Sequence, residues 1–505
     1  MRGTLSPTGI YFIAGLLICG SSSEAALPAK RTVRHFELSL TWEKDVPDGY
    51  QRYLFKVNGQ FPSPTVEANQ GDDVVALVRN NSPYNTTIHC RGIEMKDTPW
   101  SDGVPGISQN DIQPNCTFTY EWKATQHGSY FYHAHSDSLI SDGLYGGIVT
   151  HPDPNTSTPY NIITNNHVSL RAIQQAESAR MPLILSDWRH ITSSTDWAIS
   201  QQSRIEHICF DSILVNGKGN KNLLEAVPGA KLTDKSCVPP EVLVAAFTSP
   251  SALPVNLSAI SHNVFYGCHE AQVLDLIGTF SLHTVQVSID ELTVWVIAAD
   301  GNFIEPSAVN SLLIANGQRT ILVKLDLPKR YTIRVSAITD PQILYGTTVF
   351  DFQMNAVIQS QDPSIPWINE RGSNLTAEVA YFGPIMAKPY PPPTTNMSAG
   401  ADATYKFNLA IDGNNNHWAL NTTSQPVTLD DGMPMLFHPE PGPRDNHTVT
   451  VPFLGAWVDC IFLVPRGHPP HPIHTHGRHF YVLGVGSCPG GCTVETRHSE
   501  LIQSG

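Results

Sequence analysis

Short apolar runs interrupted by polar turn formers set the pattern of this chain. Stretches such as "DDVVALVRNNSPYNTT" and "NSLLIANGQRTILVKLDLP" are rich in valine, threonine and isoleucine and are broken by Asn, Gly and Pro. That pattern predicts many short strands joined by turns. Few stretches carry a long helical period, so an all-β protein is expected.

The same pattern divides the chain. A first unit spans residues 27–158 and ends at "GLYGGIVTHPDPN". A second spans 159–358, opening with "MPLILSDW" and holding "DSILVNGKGN". Residues 359–404 turn polar and Pro-rich, with "PYPPPTTNMSAG" as a linker signal, and a third unit fills 405–505. Each unit reads as a Greek-key β-sandwich, with short strands, frequent turns and no βαβ alternation.

The length of 505 residues suits about three domains. The 39 Pro and 36 Gly and the low charged content of 15% agree with a turn-rich β chain. The formal net charge of −14 argues against nucleic acid or an anionic membrane as partner, since both need a basic face.

The N-terminal "MRGTLSPTGIYFIAGLLICGSSSEAALPAK" has a basic residue at Arg2, an apolar stretch from Gly9 to Gly20 and small residues after it. It reads as a signal peptide over residues 1–26, so a secreted chain is expected. No later stretch is long and apolar enough to span a bilayer. Nine glycosylation sequons fit that address: Asn80, Asn85, Asn115, Asn155, Asn256, Asn374, Asn396, Asn421 and Asn446. Eight cysteines follow the leader, and some are expected to form disulfides, with connectivity open.

Candidate chemistry lies in the histidines. On a strand, residues i and i+2 face the same way, so an H-x-H pair offers two imidazoles to one small volume. Neutral imidazole suits copper, zinc, iron and nickel. Composition alone, 21 His in 505 residues, gives about one such pair. The chain has two: His133 with His135 in "SYFYHAHSDS", and His474 with His476 in "HPPHPIHTHGRHF". His471 lies three residues before the second pair, and His468 and His479 crowd it further.

Taken in order, "TTIHCRG", "TPWSDGVPG", "YHAHS", "DGLYGG", "DSILVNGKG" and "HPIHTHG" resemble the three-domain multicopper oxidases, and among them the fungal laccase-like enzymes. The resemblance covers nearly the whole chain after the leader. It implies three cupredoxin-like sandwiches and copper as cofactor, in a mononuclear blue site and a trinuclear cluster between the first and third units. It implies one-electron oxidation of a small phenolic substrate coupled to reduction of O₂ to water. Such relatives often serve pigment or other secondary-metabolite pathways. A ferroxidase or ascorbate oxidase is the alternative enzyme, and a monomer is expected. His89 and His474 match type 2 copper ligands. His133, His135 and His476 match type 3 ligands, and His471 matches a blue-copper imidazole. Asp102 matches an acidic residue near the cluster, held in the family to supply protons, although a turn aspartate before Gly103 is an equal reading. His468 and His479 match no ligand position.

Two departures stand out. The first motif reads His89-Cys90-Arg91 where the family has H-x-H. Arginine has no lone pair to give a metal, and Cys90, one residue off, is expected on the opposite face of the strand. The family's H-C-H motif, source of the blue-site cysteine, does not follow the third motif. The third sandwich is therefore expected to be incomplete. The sequence is read as a truncated version of a complete enzyme in preference to a non-catalytic cupredoxin-like glycoprotein.

Overall fold

The computed structural model describes residues 32–203, 210–219, 223–224, 263–265, 271–324, 330–338, 343–352, 365–393, 400–411, 418–421, 432–437, 451–453, 455–464 and 472–484. The stretch read as a signal peptide, His468, His471 and five of the eight later cysteines lie outside the described residues.

The first unit has eight strands: β1 (Val33–Asp45), β2 (Arg52–Val57), β3 (Ser63–Asn69), β4 (Asp73–Asn80), β5 (Ile88–Arg91), β6 (Thr117–Lys123), β7 (Gly128–Ala134) and β8 (Tyr145–His151). They form two sheets, ordered β2-β1-β4-β6 and β3-β8-β7-β5. The pairs β1–β4 and β3–β8 are parallel, and the others antiparallel. Parallel neighbours demand crossovers between the layers, as in a Greek key. β4 shows the cause: Val74, Ala76 and Val78 are buried, while Asp73 and Arg79 are exposed. Its inner face meets Leu40, Tyr120 and Tyr132 in one core.

The second unit packs two seven-stranded sheets around Leu274, Val296, Ile321 and Val335. "DSILVNGKG" folds as a hairpin of Ser212–Val215 and Lys218–Gly219. Its turn uses Asn216 and Gly217, at φ 48° and 71°, as a two-residue hairpin requires.

Among the described residues the third unit contributes one three-stranded sheet, Ala403–Ile411 between Trp418–Leu420 and Val458–Leu463. Phe437, Phe453 and Phe480 are exposed, where a closed sandwich would bury such rings.

The mostly β expectation holds, with three refinements. First, a helix at His167–Ser178 follows the first sandwich in the chain and packs on the second. The Asn166 side chain caps it, accepting from the amides of Val168 and Ser169, and Ile173 and Ala176 face the second unit's core. Second, the stretch read as a linker is anchored. Phe382 joins the second core, and the Trp367 indole donates to the Leu292 carbonyl at 3.0 Å. Its polar average hid these apolar anchors. Third, Asn80 is fully buried, and its amide donates to the carbonyls of Tyr84 and Ile112. That sequon is structural, whereas Asn85, Asn115, Asn155, Asn374 and Asn421 are exposed. Of the cysteines, Cys90, Cys116 and Cys460 are free, so no disulfide occurs among the described residues.

The first two units are tied together through buried charge. Arg52 pairs with Asp142, donates to the carbonyls of Arg189 and Ile191, and lies over the Trp188 ring. Phe131 of β7 packs against Ile184 and Ile277 of the second unit.

Candidate metal centre

Strand alternation builds the first half of the site. On β5, Ile88 and Cys90 point into the first core, so His89 and Arg91 point the other way. Cys90 is buried, as expected from its position, and burial pushes its thiol pKa far up. On β7, Tyr130, Tyr132 and Ala134 face that core, leaving Phe131 and His133 outward. The antiparallel register places His89 directly opposite His133 and Arg91 opposite Phe131. His135 follows one residue beyond β7, and its ring centroid lies 5.4 Å from that of His89.

The Pro99–Asp102 turn holds the next layer. The His89 Nδ1–H donates to the Asp102 carbonyl at 2.7 Å, which leaves Nε2 as the lone-pair nitrogen. Gly103 makes this approach possible. Its φ is 83°, and a Cβ there would stand 2.0 Å from the Ile88 carbonyl oxygen.

The third unit supplies the second half. His474 Nε2 lies 3.4 Å from His89 Nε2, across 385 residues of chain. The His476 ring lies tilted against that of His89, 4.0 Å between centroids, and its Nδ1 donates to Asp102 Oδ2 at 2.9 Å. One residue, Asp102, thus orients imidazoles from two units, through its carbonyl and its carboxylate. The ligand atoms of His89, His474 and His476 all fall within 4.8 Å of one another. Gln126 braces this segment, donating to the Gly92 carbonyl and contacting His479 Nδ1 at 3.3 Å.

The electrostatics favour neutral donors. Burial lowers the pKa of His89, and lowers that of His133 much further. It pushes His135 down to about 4. His474 falls to about 2 through burial and then the nearby Arg91 charge. For Asp102, burial opposes ionisation, but hydrogen bonds from His476 and His89 outweigh it and hold the carboxyl well below the usual range. His133 donates through Nδ1 to the Ala134 carbonyl, while its Nε2 is buried without a partner.

These residues fit a copper ion. Two nitrogens about 2.0–2.1 Å from one tetrahedral ion lie about 3.4 Å apart, the separation seen between His89 and His474. The three grouped donors are imidazoles that burial keeps neutral at His89 and His474, and neutral imidazole is a good copper donor.

A cavity of about 270 Å³ reaches the site between the first two units, lined by His133, His135, Ser138, Ile140, Ser281 and Asn316. The structure thus brings together His89, His133, His135, His474, His476 and Asp102, while His471 lies outside the described residues. Gln126 and Asn316 escaped the sequence reading, because neither sits in a motif and each acts across a unit boundary. His479 is exposed and serves as a bracing contact.

Consecutive β-sandwiches joined around convergent neutral imidazoles define a copper protein of the cupredoxin class. Multicopper oxidase profiles match residues 39–155, 179–354 and 388–500. The chain belongs to the multicopper oxidase family. It is 34% identical to laccase abr2 of Aspergillus fumigatus, over 92% of this chain and 83% of the relative. It is 33% identical to multicopper oxidase MCE of Talaromyces pinophilus, over 97% and 87%. Among solved structures, the Botrytis aclada laccase superposes with a TM-score of 0.57 at 22% identity, over 78% of this chain and 65% of that one. Fet3p, a multicopper oxidase that functions in iron import, superposes with a TM-score of 0.56 at 20% identity, over 78% and 64%. The chain thus spans slightly under two thirds of these solved relatives.

Proposed function

We propose that this protein is laccase-like, removing single electrons from phenols with O₂ as final acceptor. His89, His474 and His476 hold copper at the junction of the first and third units, with His133 and His135 beside them, and His471 belongs to a separate mononuclear site. The carrying observation is the approach of His474 Nε2 to His89 Nε2 at 3.4 Å from a distant part of the chain. Copper, when bound, supplies one-electron transfer between substrate and O₂.

The protein's own groups do the rest. The Asp102 carbonyl fixes the His89 tautomer, and its carboxylate fixes that of His476. These bonds aim Nε2 of both rings into the junction. Because Asp102 is held ionised, this supports an orienting role over that of a proton store. The cavity beside His133 and His135 is large enough for a small molecule such as O₂ or water to approach.

The three units are assigned to 27–158, 159–358 and 405–505. Secretion as a monomeric glycoprotein fits the leader-like N-terminus and the exposed sequons, and a pigment or secondary-metabolite pathway fits the laccase relatives. No helix among the described residues is long and apolar enough to cross a membrane.

The test is oxygen consumption by purified, copper-loaded protein with 2,6-dimethoxyphenol and, separately, with iron(II). Phenol-dependent uptake supports the reading. Uptake with iron(II) alone moves the chain to the ferroxidases. No uptake with either substrate, despite bound copper, rejects it as an oxidase.

A further inference from the structure

We propose that Arg91 is a built-in cation of the histidine junction, closing one metal position. His89, His474 and His476 then hold a single ion, and no second ion joins β5 to β7 at His133. This rests on the reading of the junction as a metal site.

The argument begins with the register. His89 and Arg91 share the outward face of β5, opposite His133 and Phe131. An imidazole at position 91 would add a lone pair there. A guanidinium offers five donors and none. Arg91 is held in place: Nη2 donates to the Asn316 carbonyl at 3.3 Å, and the guanidinium carbon lies 5.8 Å from the centre of the Phe131 ring. Burial brings its pKa down to about 10, so it stays charged at neutral pH.

Among the described residues no carboxylate forms a salt bridge with Arg91. Asp300 offsets part of its charge, but the guanidinium shares the outward face of β5 with His89, and a like charge at that position opposes a divalent ion. The ligand atoms follow this division. Three nitrogens cluster tightly, at His89, His474 and His476. His133 is not one of these three, and its Nε2 is buried without a partner. It is the donor left over when the position beside it on the neighbouring strand holds a guanidinium.

The experiment counts metal and needs no turnover. Full-length protein is stripped, equilibrated with zinc(II) and, in parallel, copper(II), desalted and assayed by plasma mass spectrometry. The native chain should lose one ion per molecule on His474→Ala. Arg91→His should bind one ion more than the native chain. Arg91→Met removes the charge without supplying an imidazole. It should keep the native count and tighten zinc binding about tenfold or more. Equal counts in native protein and Arg91→His overturn the proposal. So does an unchanged affinity in Arg91→Met, which decides alone should Arg91→His not fold. If His474→Ala loses no ion, the junction is not a metal site and the underlying reading falls with it.

Discussion

Asp102 shows how one side chain works at two addresses. Its carbonyl accepts from His89 and its carboxylate from His476, so a single turn sets tautomers on both sides of a unit boundary. Groups that orient ligand histidines typically contribute about 10–100-fold to metal affinity. Asp102→Ala should weaken zinc binding at the junction by about that factor, read by competition with a coloured chelator, while the circular dichroism spectrum stays unchanged. The residue was visible in "WSDG", but its work was not. The bond to His89 spans 13 positions and that to His476 spans 374, and neither separation leaves a periodic trace. The histidines were legible for the opposite reason, because an H-x-H spacing carries its own geometry.

Elements were legible where pattern and turn chemistry agreed. "DDVVALVRN" became β4, and "NSLLIANGQRTILVKLDLP" became strands Ser311–Ile314 and Gly317–Lys324. The helix at His167–Ser178 was passed over, although Asn166 is a good cap and Leu170, Ile173 and Ala176 recur at helical spacing. Its polar composition resembled the surrounding loops. Loss of a capping side chain costs about 0.5–2 kcal/mol. Asn166→Ala should therefore lower the urea midpoint of the second unit by an amount equivalent to about 1 kcal/mol, leaving zinc stoichiometry untouched. Asn80 and Asn85 teach the complementary lesson. Both head a sequon, yet the first donates two hydrogen bonds inside a core and the second is exposed. Local sequence does not encode that difference, because burial is decided by strands far along the chain.

At the scale of the molecule, the contacts between units carry the pH response. The His127 ring packs tilted against Phe303 of the second unit, 4.6 Å between centroids, and burial, with Arg180 nearby, pushes its pKa down to about 4. The free imidazole titrates near 6.5. Unfolding below that pH therefore takes up a proton that the folded chain resists. The contribution is complete above about pH 6.5 and is lost as pH falls toward about 4. Between pH 7.5 and pH 5 the melting temperature of the native chain should drop by more than that of His127→Gln. Parallel slopes for the two proteins would remove His127 from the account. Three β units were foreseeable from strand and turn signals. Their mutual packing was not, because the bonds of Arg52 to the Arg189 and Ile191 carbonyls and the packing of Phe131 on Ile184 and Ile277 cross between units and leave no periodic trace.

The meeting of His474 with His89 has a further consequence for biogenesis. Imidazoles contributed early in synthesis must wait for partners that emerge hundreds of residues later. If the junction holds its ion as proposed, retention of that ion would report that the early and late parts of the chain have met. A chaperone pathway that delivers the ion last would inspect every molecule at no extra step.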